Sequence, residues 1–345
     1  LNATGTPQRA DEIYSTFNWI NKLVKKYNIG HVIFGGDLFN SVSDLKLPFV
    51  KLALDGFNLI EADIYILDGN HDYSDKNFYA TSLFKYVTKE IIHEPNSTFI
   101  PSLGVRFAYL PFCRNLEEAK NNIVEVLKYD EPTIAFMHQG IEGKCYDDLA
   151  VPANLFDKPN VKRVFCGHYH FSFEEGKIVY PGSMFSCNFL DENPRKVVIY
   201  DVDTDELIYE ENPACSYFIS LTQKLINENM EKLLEVAKST YLRVELMSAN
   251  EDLTIPYEFL EKFRGYVISS DNAKKEFVPQ YTYVDSSFTA ESPTTSIEMT
   301  ELDFNYETYK SLILNTRENQ QYVEEHKINK DILEEALKTS FQLGI

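Results

Sequence analysis

The stretch His31-Val32-Ile33-Phe34-Gly35-Gly36-Asp37-Leu38-Phe39-Asn40 decides how the rest of the chain is read. A short, mostly apolar run that stops at paired glycines predicts a buried strand entering a tight loop. Before it, residues 7–28 carry Ile13, Phe17, Ile20, Leu23 and Val24 on one helical stripe. After it the pattern repeats. Residues 47–59 read as a helix, and 63–67 as a second strand ended by Asp68-Gly69. Residues 99–110 read as a hairpin, 116–127 as a helix, 133–137 as a strand, and 161–165 as another strand that ends in glycine. Further strands are expected at 177–180, 196–202 and 206–209. Strands separated by helices, then consecutive strands, predict a four-layer α/β sandwich rather than a Rossmann sheet. No GxGxxG or Walker A motif is present.

The character shifts after Pro213. Residues 221–238 read as a helix, 241–246 as a strand, 257–263 as a helix and 266–269 as a further strand, together a small α+β cap. Residues 271–300 are polar and rich in Ser, Thr and Pro, the composition of a linker. The end is helical again, with Ile328, Ile332, Leu333, Leu337 and Phe341 spaced to form one apolar face. The expected organisation is a core domain over 1–215, a capping domain over 216–270, a linker over 271–300 and a C-terminal helical segment over 301–345.

Composition narrows the function classes. A chain of 345 residues suits a core of about 200 residues plus an appendage. It has no apolar run of the length, about 18 residues, that a membrane span needs. The start, Leu1-Asn2-Ala3-Thr4-Gly5, has neither the charged region nor the apolar region of a signal peptide. Five scattered cysteines without a CxxC pair argue against a zinc ribbon and for reduced thiols in the cytoplasm. The net charge is −20. A free-standing DNA binder carries a basic face, so metals, a local basic patch or a partner must supply any attraction to DNA.

Five clusters stand where the expected strands end: Gly35-Gly36-Asp37-Leu38-Phe39-Asn40, Gly69-Asn70-His71-Asp72, Met137-His138-Gln139-Gly140, Gly167-His168-Tyr169-His170 and Pro181-Gly182-Ser183. Singly, each has an ordinary explanation. An Asp after a strand is a turn residue, and a lone His is a hydrogen-bonded structural side chain. Jointly they are not ordinary, because four of the seven histidines fall inside these clusters. With Asp37 and Asn70 they make a mixed nitrogen and oxygen set suited to borderline divalent metals.

The order GD, GNHD, H, GHxH resembles the signature of the calcineurin-like metallophosphoesterases, over roughly residues 1–210. The resemblance implies a four-layer α/β/β/α metallophosphoesterase sandwich holding two divalent metal ions, manganese first and magnesium second. Carried over by motif, Asp37 bridges the metals, Asn70, His138 and His168 complete one site, and His170 binds the other. His71 becomes the catalytic histidine and Asp72 its orienter, with Asn40, Tyr169 and Ser183 at the substrate. A bridging carboxylate holds two cations about 4 Å apart to clamp both nucleophile and phosphate, and a non-ligand histidine can protonate the leaving alkoxide.

Two features depart from the family pattern. The family opens with a strand and Asp-x-His, and no Asp-x-His occurs in this sequence. Leu1-Asn2-Ala3 resembles the segment directly after that motif in the family. The expectation is therefore a chain lacking its first strand and two ligands of the His170 site, and a poor nuclease as it stands. Asn40 occupies a place where relatives have His or Asp.

Within the family, Gly35-Gly36-Asp37-Leu38-Phe39, then Gly167-His168-Tyr169-His170 with Tyr180-Pro181-Gly182-Ser183, and the cap segment Tyr241-Leu242-Arg243-Val244-Glu245-Leu246 are similar to the SbcD-type nucleases. That resemblance implies DNA as substrate, exonuclease and endonuclease action in recombination and repair, and a homodimer within an SbcCD-like complex. It also implies an SbcC-type coiled-coil ATPase partner gripped by the C-terminal helices, in the cytoplasm. The modest size resembles bacteriophage versions, which would place it in the host cytoplasm. The alternatives are a phosphoesterase acting on a small molecule or phosphoprotein, and a catalytically impaired scaffold.

Overall fold

The computed structural model describes residues 9–42, 45–73, 79–143, 149–189, 191, 194–247 and 252–270. The expected linker at 271–300 and the helical segment at 301–345 lie outside these residues, as does Cys145. The chain divides into two compact units. Among the described residues, the first runs to Met184 and takes Arg195–Ala214, and the second comprises Phe185–Pro194 and the described residues from Cys215 to Ser270.

The first unit contains α1 (Ala10–Tyr27), β1 (His31–Phe34), α2 (Leu47–Phe57), β2 (Asp63–Leu67), β3 (Glu90–Ile92), β4 (Asn96–Ile100), β5 (Val105–Leu110), α3 (Leu116–Val126), β6 (Thr133–Met137), β7 (Val161–Cys166), β8 (Phe173–Glu175), β9 (Ile178–Tyr180), β10 (Lys196–Asp201) and β11 (Glu206–Glu211). Strands β1, β2 and β3 form a parallel sheet. A six-stranded sheet runs β4-β5-β6-β7-β9-β8, parallel in its centre and antiparallel at both edges. Strands β10 and β11 pair as an antiparallel ribbon.

Strand alternation builds the layers. On β5, Phe107 and Tyr109 face Tyr65, Leu67 and Ile92 of the three-stranded sheet. Their neighbours Ala108 and Leu110 face the opposite way and pack with Ile123 and Val126 of α3. The outer face of the three-stranded sheet is covered by α1 and α2, where Phe17, Phe34 and Phe57 meet ring to ring at 5.0–6.0 Å. The result is the expected α/β/β/α sandwich. Burying each such side chain contributes about 1.5–3 kcal/mol, which gives the strand ends a rigid base.

The helix expected over 221–238 does not form as one piece. Residues Tyr217–Thr222 are a strand, β12. Thr222 keeps extended geometry, and its side chain accepts the Leu225 N–H, starting α4 (Gln223–Glu228). Asn229 separates α4 from α5 (Met230–Val236). The hydroxyl of a threonine at an N-cap satisfies one of the first-turn amides that a helix start leaves without a carbonyl partner. Strand β12 pairs in parallel with β13 (Thr240–Leu246), and β13 with β14 (Gly265–Ser270). Helix α6 (Tyr257–Leu260) precedes β14. Parallel strands need crossover connections, and here α4, α5 and α6 supply them, over a core of Ile226, Leu242, Val244, Leu260 and Phe263.

Candidate metal centre

The loops after β1, β2, β6 and β7 bring Asp37, Asn70, His138 and His168 together. The ring Nδ1 of His138 donates to the Gly35 carbonyl at 2.5 Å. In the neutral ring that bond leaves Nε2 with its lone pair free. Nε2 lies 3.2 Å from Asp37 Oδ2 and 3.1 Å from Asn70 Oδ1. His168 Nδ1 lies 2.9 Å from the same Asn70 oxygen. The ligand atoms of Asp37, His138 and His168 all fall within 4.8 Å of one another. Two oxygen acceptors and two imidazole nitrogens converging this closely need a proton or a cation between them, and the donor chemistry fits a divalent metal.

The backbone is bent to make this possible. Asp37 has φ 57° and His168 φ 78°, left-handed values that cost residues with a Cβ about 1–3 kcal/mol and persist only where the surroundings enforce them. The enforcement is visible. Asp72 is fully buried and accepts the N–H groups of Asp37 at 2.7 Å, Gly69 at 2.9 Å and Phe39 at 3.2 Å. It thereby ties the loop after β1 to the loop after β2. His71 N–H donates to Asp37 Oδ1 at 3.0 Å and fixes that carboxylate. Glycine is required at two close approaches. A Cβ on Gly167 would meet the Gly35 carbonyl oxygen at 2.2 Å, and one on Gly69 would meet Asp37 Oδ1 at 2.1 Å.

Electrostatics obey the same geometry. Burial pushes the Asp37 carboxyl up, but its hydrogen bond to His138, the charge of that ring and the His71 N–H bring it below its usual value. Burial pulls the His138 imidazole down, yet the facing Asp37 carboxylate and the Gly35 carbonyl hold it above its usual value. A metal at this centre therefore competes with a proton on His138. Burial pushes the Asp72 carboxyl up to about 7, against the pull of the Gly69 N–H.

The remaining expected residues surround this cluster less tightly. His71 and Asn40 are exposed. Tyr169 lies edge-on to His168 at 4.8 Å and packs against Tyr180. Ser183 donates its N–H to the His170 carbonyl at 3.2 Å, and the Arg195 side chain donates to that same carbonyl. The His170 side chain is exposed and is not a member of the Asp37–His138–His168 group.

Four residues that shape the site escape a reading of the sequence. Phe112 stacks on His168 at 5.8 Å and lies edge-on to His138 at 6.3 Å. It comes just after β5, so its place at a strand end is a usable signal. Asp68 is visible in sequence only as the end of a strand, and Arg195 and His93 stand in no cluster. Among the described residues, Cys113, Cys166, Cys187 and Cys215 form no disulfide, and no helix is long and apolar enough to cross a membrane.

The family model described as Calcineurin-like phosphoesterase matches residues 7–172. That span holds Asp37, Asn70, His71, Asp72, His138, His168 and His170, and it covers the strands that carry the donor atoms. The chain therefore contains a calcineurin-like phosphoesterase domain, the fold of metal-dependent hydrolases of phosphoester bonds.

Proposed function

We propose that the chain is the nuclease subunit of an SbcCD-like DNA recombination and repair complex, a hydrolase of DNA phosphodiesters that uses two divalent ions, manganese or magnesium. The observation that carries the hydrolytic reading is the convergence of Asp37, Asn70, His138 and His168 on one point, with His138 locked by Gly35. In this reading Asn70, His138 and His168 would hold one ion, His170 would hold the other, and Asp37 would be shared between them. When bound, such ions supply a hydroxide nucleophile and neutralise phosphate charge. His71, exposed beside the donor cluster, holds the proton for the leaving oxygen. Asp72 fixes the loop that carries His71. Asn40, Tyr169 and Ser183 border the substrate.

The choice of DNA rests on the motif variants Gly35-Gly36-Asp37-Leu38-Phe39 and Tyr180-Pro181-Gly182-Ser183, and on the separate α/β unit after the core. A chain of net charge −20 gains from an SbcC-type ATPase partner that brings a DNA-binding surface. The apolar positions Ile328, Ile332, Leu333, Leu337 and Phe341 supply anchors for a helix-in-groove contact with it.

The test compares linear DNA, bis-p-nitrophenyl phosphate and a phosphopeptide, each with manganese, using a chain supplied with a strand ending in Asp-x-His ahead of Leu1. DNA cutting with an untouched phosphopeptide is expected. Dephosphorylation of the peptide without DNA cutting would replace this reading with a protein phosphatase. Deleting 301–345 should abolish capture of the ATPase and spare hydrolysis of the small diester.

A further inference from the structure

Beside the donor cluster, and sharing none of its ligands, is a second buried polar group. Asp68 ends β2 one residue before Gly69 and is 1% exposed. Its carboxylate accepts from the Thr81 hydroxyl and from His93 Nδ1. The far ring nitrogen of His93 faces the Ser82 hydroxyl at 3.1 Å, and Tyr79 covers the ring at 4.3 Å. A carboxylate taken wholly out of water costs several kcal/mol unless it is fully paired, and apolar residues stabilise such a position as well or better. Packing alone does not explain Asp68.

The backbone of Asp68 is tied just as closely. Its N–H donates to the Ile92 carbonyl at 3.1 Å, and its own carbonyl accepts the Phe112 N–H at 3.0 Å. Phe112 is the ring stacked on His168. The short 3-10 helix Ala80–Phe84 supplies Thr81 and Ser82, and its first residue donates N–H to the Asp72 carbonyl at 2.8 Å. That helix therefore grips the 69–72 loop from both sides, through Asp68 before it and Asp72 at its end. Between those grips lie Asn70, whose oxygen meets His138 and His168, and His71, whose N–H fixes Asp37.

We propose that Asp68 and His93 are positioning residues for the metal centre: a buried Asp68–His93–Ser82 relay, reinforced by Thr81, sets the place of the 69–72 loop and so of Asn70 and His71. The pair touches neither substrate nor metal and acts through the loop and through Phe112. The proposal rests on the metal reading of the Asp37 cluster for its functional consequence, but its structural consequence is separate. A clamp of this kind leaves the sandwich standing when it is cut and loosens only the loop it holds.

The experiment uses the full chain without metal and then with manganese. In His93→Ala, amide exchange at Asn70, His71 and Asp72 should quicken about tenfold or more while amides of β5 and β6 keep their rates. Manganese affinity should fall about 10- to 100-fold, the usual effect of losing a group that orients a ligand. His93→Gln keeps a side-chain donor for Asp68 and should restore both quantities most of the way. A folded His93→Ala with the wild-type exchange pattern in 69–72 overturns the proposal. If β5 and β6 also exchange quickly, Ser82→Ala, which removes only the outer bond of the relay, decides by the same measure. If the wild-type chain binds no manganese, the metal reading fails, and the exchange data alone judge the clamp.

Discussion

In the first unit, Asp37 and His168 hold left-handed backbone at strand ends, and glycines beside them have no room for a Cβ. In the second unit, no described non-glycine residue has a positive φ, and its described glycine, Gly265, would meet only the ring of Tyr241. The first unit buries charged groups such as Asp68 and Asp72 next to its donors. The second encloses an apolar core of Ile226, Leu242, Val244 and Leu260 under ordinary β-α-β crossovers. The first unit also has left-handed Asn28 and Asp205 and a buried Glu12 away from the centre, whereas the described residues of the second unit include neither a left-handed non-glycine residue nor a buried carboxylate. A large, regular sandwich can carry several costly positions because each is small beside its buried apolar surface.

Substitutions in the two regions should break this contrast unequally. The largest effect belongs to Asp37→Ala, which should lose metal binding at the centre altogether by calorimetry. Retained binding would show that Asp37 is not a ligand. Next, in the chain supplied with an Asp-x-His strand, His71→Ala should keep metal affinity but lower turnover of bis-p-nitrophenyl phosphate about 10²–10⁴-fold, the range of a general acid. Equal loss of metal in both variants would make His71 a ligand instead. Gly167→Ala drives a methyl into the Gly35 carbonyl and should destabilise the first unit by about 1–3 kcal/mol, read by denaturant unfolding, and weaken metal binding with it.

Phe112→Ala removes the ring that orients His168 and His138, and metal affinity should drop about 10- to 100-fold with little change in hydrolysis at saturating metal. Smallest of all is Gly265→Ala in the second unit. Its neighbour is a side chain that can move, so a cost under about 1 kcal/mol is expected, with metal affinity untouched. If Gly265→Ala and Gly167→Ala cost the same, the contrast between strained and ordinary regions is wrong.

Much of the fold was legible because its signals are local. The run His31–Phe34 before paired glycines, and the alternation along β5, each report which side chains share a face. Outside residues 217–238 the expected elements fall near their spans, and for Asp63–Leu67 and Thr133–Met137 the bounds coincide, while β3 and β8 have no counterpart in the sequence reading. Residues 217–238 mislead a sequence reading because Leu221 and Ile226 fit a helical stripe as well as a strand leading into a helix. Thr222 as a cap is decided by its hydrogen bond and by the pairing of β12 with β13, and that pairing is not local.

For the centre, the strand-then-glycine pattern already puts Asp37, Asn70, His138 and His168 at strand ends among glycines. That they meet was implied by the family resemblance and not by the local pattern. That depends on Gly35 and His138, 103 positions apart, being joined by one hydrogen bond. Nor could the local pattern pair Asp68 with His93 or lay Phe112 on His168. Periodicity fixes the face on which a side chain stands, because it comes from backbone geometry within a few residues. The direction of an imidazole lone pair, and the partner of a buried carboxylate, depend on which distant strands become neighbours, and only the packed sheets decide that.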